Sequence, residues 1–172
     1  VNNACYNPGW SADSLRPHLF ERSWQVTVTA AGTAVGLLMP IMKKQGHGAI
    51  VNDSSIGGVT GIASSIPYAA SKAALNLMAK SLAHVLAPEI RINTVVPGMI
   101  QTRWLKGGMG DEQYAAMIKT MGDQLPLKKV ATAEDIAGVL VWFLEGPHLI
   151  TGETLIVDSG IHIGTLPPYS SG

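Results

Sequence analysis

Tyr68 and Lys72 stand four residues apart in "YAASK", and Ser55 precedes Tyr68 with twelve residues between them. Residues four apart on a helix share a face, so a helix here puts a phenol and an ammonium within reach of each other. A free tyrosine titrates at about 10 and is a poor acid or base at neutral pH. A fixed cation a few ångströms away favours the phenolate and lowers that value by about 1 to 3 units. Ser55 adds a hydroxyl that can hold a carbonyl or alcohol oxygen against the phenol. The chemistry these three side chains suit together is proton transfer to or from an alcohol oxygen. Each feature is ordinary alone, because helix neighbours at this spacing are common and serines after strands are frequent turn formers.

The elements that must position them can be read from pattern. Apolar residues from Leu15 to Met42 recur near helical spacing, which predicts a helix over 12–44 ended by Gly46 and Gly48. "AIVN" (49–52) is too short for a helix and is bounded by Gly48 and the Asp53-Ser54-Ser55 turn signal, so it reads as a strand. A helix from about Tyr68 to Leu86 follows, stopped by Pro88, and then a β-rich run over 90–96 stopped by Pro97-Gly98. Residues 103–125 look like an excursion from the sheet, with Gly107, Gly108 and Gly110 before a short amphipathic helix. Thr132 with Asp135 three residues on predicts a capped helix, "ETLIVD" (153–158) a last strand, and the tail after Gly160 a loose end. Alternating strands and helices give an α/β class with a mainly parallel sheet covered on both faces. Ligands in such sheets sit beyond the carboxyl ends of the strands, where Ser54-Ser55 and Pro97-Gly98 both fall.

Composition narrows the function further. The 172 residues are 47% hydrophobic and 14% charged, enough to bury one substantial core, and residues 1–172 read as a single partial domain. Twelve basic residues balance twelve acidic ones with no basic cluster, so nucleic acid is not an expected partner. Cys5 is the single cysteine, so no intrachain disulfide forms, and a reducing, cytoplasmic location is expected. No apolar run is read as a membrane span. The histidines have no metal-ligand spacing, and no metal is expected.

Taken in order, these motifs resemble the short-chain dehydrogenase/reductase family over nearly the whole chain. "VNNAC" is similar to its Asn-Asn-Ala-Gly turn, "GAIVNDSS" to its serine strand, "YAASK" to its Tyr-x-x-x-Lys helix, "RINTVVPGMIQT" to its Pro-Gly-x-x-x-Thr cofactor loop and "ITGETLIVDSG" to its last strand. The resemblance implies part of a doubly wound, Rossmann-like fold and NAD- or NADP-dependent interconversion of an alcohol and a carbonyl. It implies Tyr68 as acid/base, Ser55 as the group orienting the substrate oxygen, and Lys72 as the cation that lowers the Tyr68 pKa and bonds the nicotinamide ribose. Asn3 and Ala4 would lie along the adenosine half of the cofactor, Pro97 and Gly98 would form the cofactor loop, and Ile100 and Thr102 would meet the nicotinamide amide. It also implies a homo-oligomer, dimer or tetramer, through the alanine-rich helix, although packing within one chain explains those alanines too. Trp104, Met109, Tyr114, Met117 and Met121 either line an apolar substrate pocket or pack their segment onto the domain.

Three positions depart from the family pattern. The fourth catalytic position of the family, an Asn, falls on Thr27, which keeps a hydroxyl to hold a water but lacks the amide. Cys5 replaces a Gly and is either a tolerated small side chain or a reactive thiol. The largest departure is the missing Gly-rich turn that seats the cofactor phosphates: "GGVTG" (57–61) and "GGMG" (107–110) lack the G-x-G-x-x-G spacing and read as loop hinges. The chain therefore reads as the C-terminal portion of a longer enzyme, with a non-catalytic remnant that oligomerises or binds a partner as the alternative.

Overall fold

The computed structural model describes residues 1–9 and 15–164. At its centre β1 (Gly48–Asp53), β2 (Ile90–Pro97) and β5 (Thr154–Val157) form a parallel sheet in the order β1-β2-β5. Gly48 lies opposite Ile90 and Asp53 opposite Val95, while Thr94 lies opposite Thr154 and Pro97 opposite Val157. On the outer edge of β1, Asn2 makes one parallel bridge to Asn52, and its carbonyl accepts the Asp53 N–H at 2.9 Å.

Helices cover both faces, as the alternating pattern requires. α1 (Pro17–Trp24), a π-turn (Gln25–Thr29) and α2 (Ala30–Gln45) run on continuously, opened by Pro17, whose missing N–H costs nothing in a first turn. Gly46 ends them in the left-handed conformation. After the short α3 (Gly57–Thr60), α4 (Ile66–Leu86) begins at Ser65, whose hydroxyl accepts the Tyr68 N–H at 3.4 Å. Val35 of α2 and Ala79, Ala83 and Leu86 of α4 pack on Ile50, Ile90 and Ile92 of the sheet. The opposite face buries Val51 and Val95 against Ile136 and Phe143 of α7 (Ala133–Glu145). Thr132 and Asp135 close the expected capping box at the start of α7.

Element types follow the sequence reading, and several boundaries move. The first helix begins at Pro17; residues 10–14, where the pattern would have started it, lie outside the described residues. The glycine-rich stretch at 57–61 is the helix α3 rather than a hinge, and Gly61 ends it at φ 75°. The excursion at 103–125 divides into α5 (Arg103–Lys106) and α6 (Asp111–Gln124). A two-stranded parallel ribbon of β3 (Ile100–Gln101) and β4 (Ala131–Thr132) was not foreseen, since two-residue strands leave no periodicity. The stretch after Gly160, expected loose, makes a 3₁₀ turn over Ile161–Ile163, and residues from 165 on lie outside the described residues.

One helix was not singled out as membrane-length in the sequence reading. The helix Pro17–Gln45 is long and apolar enough to cross a membrane by length and composition. The sequence reading missed it because Ser23, Thr27 and Thr29 among others interrupt its apolar residues. In this fold the helix forms a wall of the domain, burying Ser23, Thr27, Val28, Ala31 and Val35.

Candidate active site

The carboxyl ends of β1 and β2 meet the first turns of α4. The Ser54 N–H donates to the Val95 carbonyl at 2.8 Å, and the Ile56 N–H to the Pro97 carbonyl at 2.8 Å, so the turn after β1 is tied to β2. The Ser54 hydroxyl donates to the Lys72 carbonyl at 3.3 Å and fixes the turn to α4 as well. α3 lies so close to α4 that a Cβ on Gly58 would fall 2.7 Å from the Lys72 carbonyl carbon. Gly98 is required for the same reason, because a Cβ there would meet Asp158 Cβ at 2.7 Å.

This framework brings three of the predicted residues together. The Ser55 hydroxyl accepts the Gly57 N–H at 3.2 Å and hydrogen-bonds the Tyr68 phenol. Lys72 is 2% exposed and places Nζ 5.7 Å from the centroid of the Tyr68 ring, where it donates to the Asp53 carbonyl at 2.6 Å. The electrostatics correct the expectation that Lys72 lowers the Tyr68 pKa. Burial instead pushes the phenol up to about 12; the Ser55 hydrogen bond pulls it down by less, and Cys5 and Asp53 add to the rise. Burial also lowers the pKa of Lys72, against the pull of Cys5 and Asp53, so the cation that was to do the tuning is itself disfavoured.

The other predicted positions fall on the same edge or near it. Asn3 and Ala4 are exposed directly after the Asn2 bridge to β1. Pro97 ends β2, and the Gly98 N–H donates to the Val157 carbonyl at 3.0 Å. Ile100 lies in β3, and the Thr102 hydroxyl caps α5 by accepting the Leu105 N–H at 3.2 Å. Thr27 is buried in the π-turn, which packs against α4, and its hydroxyl has no partner among the described residues. Trp104 is exposed, while Tyr114, Met117 and Met121 are half-buried.

Sequence reasoning missed three features. Asn7 bonds Ser64 and accepts from the Ser65 hydroxyl at 3.1 Å, fastening the N-terminal segment over the start of α4. Asp158, 5% exposed, holds His162 Nδ1 at 2.9 Å across the turn after β5; the i,i+4 spacing was available as a signal. The third is Asp53, which reads in sequence as part of a turn signal and instead closes β1 with its carbonyl accepting from Lys72.

Among the described residues no turn suited to a dinucleotide's phosphates is formed. Neither glycine-rich stretch forms a strand-to-helix phosphate turn: 57–60 is α3, and 107–110 joins α5 to α6.

Comparison with known proteins gives the class of this site. A family described as enoyl-(acyl carrier protein) reductase matches residues 1–162. The short-chain dehydrogenase/reductase homolog YusR of Bacillus subtilis is 45% identical over 72% of this chain and 90% of its own length. The 3alpha-hydroxysteroid dehydrogenase of Mediterraneibacter gnavus is 36% identical over 92% of this chain and 62% of its own. Among solved structures, L-sorbose reductase from Gluconobacter frateurii, complexed with NADPH and L-sorbose, superposes with a TM-score of 0.85 at 28% identity. That match covers 96% of this chain and 66% of the reductase. The chain belongs to the short-chain dehydrogenase/reductase family. It spans 52 to 62% of the length of seven other curated relatives.

Proposed function

We propose that the chain carries the catalytic half of an NAD- or NADP-dependent oxidoreductase that interconverts an alcohol and a carbonyl. The observation that carries this reading is the Tyr68 phenol, hydrogen-bonded to Ser55 and overlain by the buried Lys72 at the carboxyl edge of a parallel sheet. A bound nicotinamide would supply or accept the hydride. Ser55 holds the substrate oxygen, and Tyr68 gives that oxygen its proton in reduction or takes it in oxidation. A phenol pushed up to about 12 is protonated at neutral pH, so the resting Tyr68 holds the proton that carbonyl reduction would take up. Asn3, Ala4, Lys72, Pro97, Gly98, Ile100 and Thr102 are the residues we assign to the cofactor.

The substrate is a small alcohol or ketone, and the protein works in solution in the cytoplasm. A second copy is the partner we assign to the exposed apolar side chains Leu37 and Ile41 of α2 and Ile66 and Leu77 of α4, giving a dimer or tetramer. The test is consumption of NADH and NADPH against a panel of aldehydes and ketones, with cofactor binding followed by calorimetry. Turnover of any carbonyl supports the reading. Binding of either cofactor without turnover across the panel favours a non-catalytic module instead.

A further inference from the structure

Tyr68 lies in the first turn of α4, where a helix has backbone N–H groups with no partner of its own. Its N–H donates to the hydroxyl of Ser65, the buried residue that caps the helix, at 3.4 Å. A serine hydroxyl has one proton and rotates freely, so a cap of this kind points where its own donor bond directs it. Here the Ser65 hydroxyl donates to Asn7 Oδ1 at 3.1 Å, which leaves its lone pairs for Tyr68. The Asn7 amide is engaged at both ends. Oδ1 also accepts the Gly9 N–H at 3.1 Å, and Nδ2 donates to the Ser64 hydroxyl.

The segment that carries Asn7 is tied down elsewhere as well. Asn2 Nδ2 donates to Asn52 Oδ1 at 2.8 Å beside β1, and the Tyr6 ring lies under the Arg22 guanidinium of α1 at 4.5 Å. Asn3 and Ala4, which we assign to the cofactor, stand between these ties. Ser55 and Tyr68 are held by different parts of the fold. The turn of Ser55 is bonded to β2 through the Ser54 and Ile56 N–H groups, whereas Tyr68 sits between the Lys72 contact one turn on and the cap at Ser65. The position of one relative to the other therefore depends on what holds the start of α4.

We propose that Asn7 is a positioning residue of this site: acting through Ser65, it fixes the first turn of α4, and with it Tyr68, against the segment that carries Asn3 and Ala4. The consequence for turnover rests on the oxidoreductase reading above; the hold on the helix does not.

The test is Asn7→Ala in the full chain, read first by hydrogen exchange of assigned backbone amides. Exchange at Tyr68 should quicken about tenfold, while Leu75 and Ala79 in the middle of α4 keep the wild-type rate. Ser65→Ala should loosen the same amide, and the double variant should add little, because both changes break one chain of hydrogen bonds. Asn7→Asp should restore most of the protection, since it keeps the acceptor for Ser65 and Gly9 and the Ser64 hydroxyl can turn to donate. Asn7→Gln shifts the amide by one methylene and stands in for the Ala variant if that fails to fold. In carbonyl reduction Asn7→Ala should lower kcat about tenfold with KM little changed, because a displaced phenol costs the transition state more than the ground state. Unchanged exchange at Tyr68 in the Ala and Gln variants overturns the proposal. Exchange that rises equally across α4 and the sheet also overturns it, as does a wild-type kcat in a variant whose Tyr68 amide is loosened. Local loosening at Tyr68 in a chain whose wild type turns over no carbonyl would overturn the oxidoreductase reading and support the hold of Asn7 on α4.

Discussion

In the proposed reaction the phenol of Tyr68 moves the proton, and its alkaline titration is open to direct measurement. Burial is the main cause of its rise from 10 to about 12, with the Ser55 hydrogen bond opposing. Two units correspond to about 3 kcal/mol of preference for the neutral phenol over the phenolate inside the fold. The sign follows from linkage. With the folded value above the unfolded one, this contribution to stability is complete below about pH 10 and is lost as pH rises through about 12. The chain has four tyrosines, so the absorbance of wild type minus that of Tyr68→Phe isolates one titrating phenol. The expected curve has a midpoint near 12, and Ser55→Ala moves it higher by removing the bond that favours the phenolate. Over the same window Tyr68→Phe should lose less stability than wild type in urea unfolding. A midpoint at or below 10 would show that the Lys72 ammonium prevails over burial and would refute this reasoning.

Two other substitutions follow from the packing. Thr27→Asn should raise turnover with little change in substrate binding, because an amide in the π-turn restores a second arm for a bound water; separate kcat and KM values check this, and an unchanged kcat shows that the hydroxyl suffices. Gly58→Ala should destabilise the fold by about 1 to 3 kcal/mol in denaturant titrations, since the added Cβ would lie 2.7 Å from the Lys72 carbonyl carbon and 2.8 Å from the Ala73 nitrogen. An unperturbed midpoint there would mean that α3 does not press on α4.

Much of this arrangement was legible because it is local. Tyr68 and Lys72 are joined by helical spacing, Thr132 and Asp135 by a capping box, and Ser55 and Gly98 follow strands whose composition marks them. What escaped depends on packing between distant segments. The direction of the Tyr68 pKa is set by burial, which spacing does not encode, and so the cation four residues away was given too much weight. Asp53 looks like a turn signal until the fold sets its carbonyl against Lys72, nineteen residues on. The π-turn at Gln25–Thr29 hides within an unbroken helical pattern, yet it holds Thr27 against α4. The membrane-length helix was overlooked because serines and threonines interrupt its apolar run without adding charge.

The central claim is that Tyr68 carries the proton while a carbonyl is reduced, and the turnover of Tyr68→Phe beside wild type tests it most directly. With a carbonyl substrate and reduced cofactor at saturation, removal of one phenol oxygen should lower kcat by about 10² to 10⁴ while the fold and cofactor affinity persist. A variant that folds, binds cofactor and keeps most of the wild-type kcat would contradict the account.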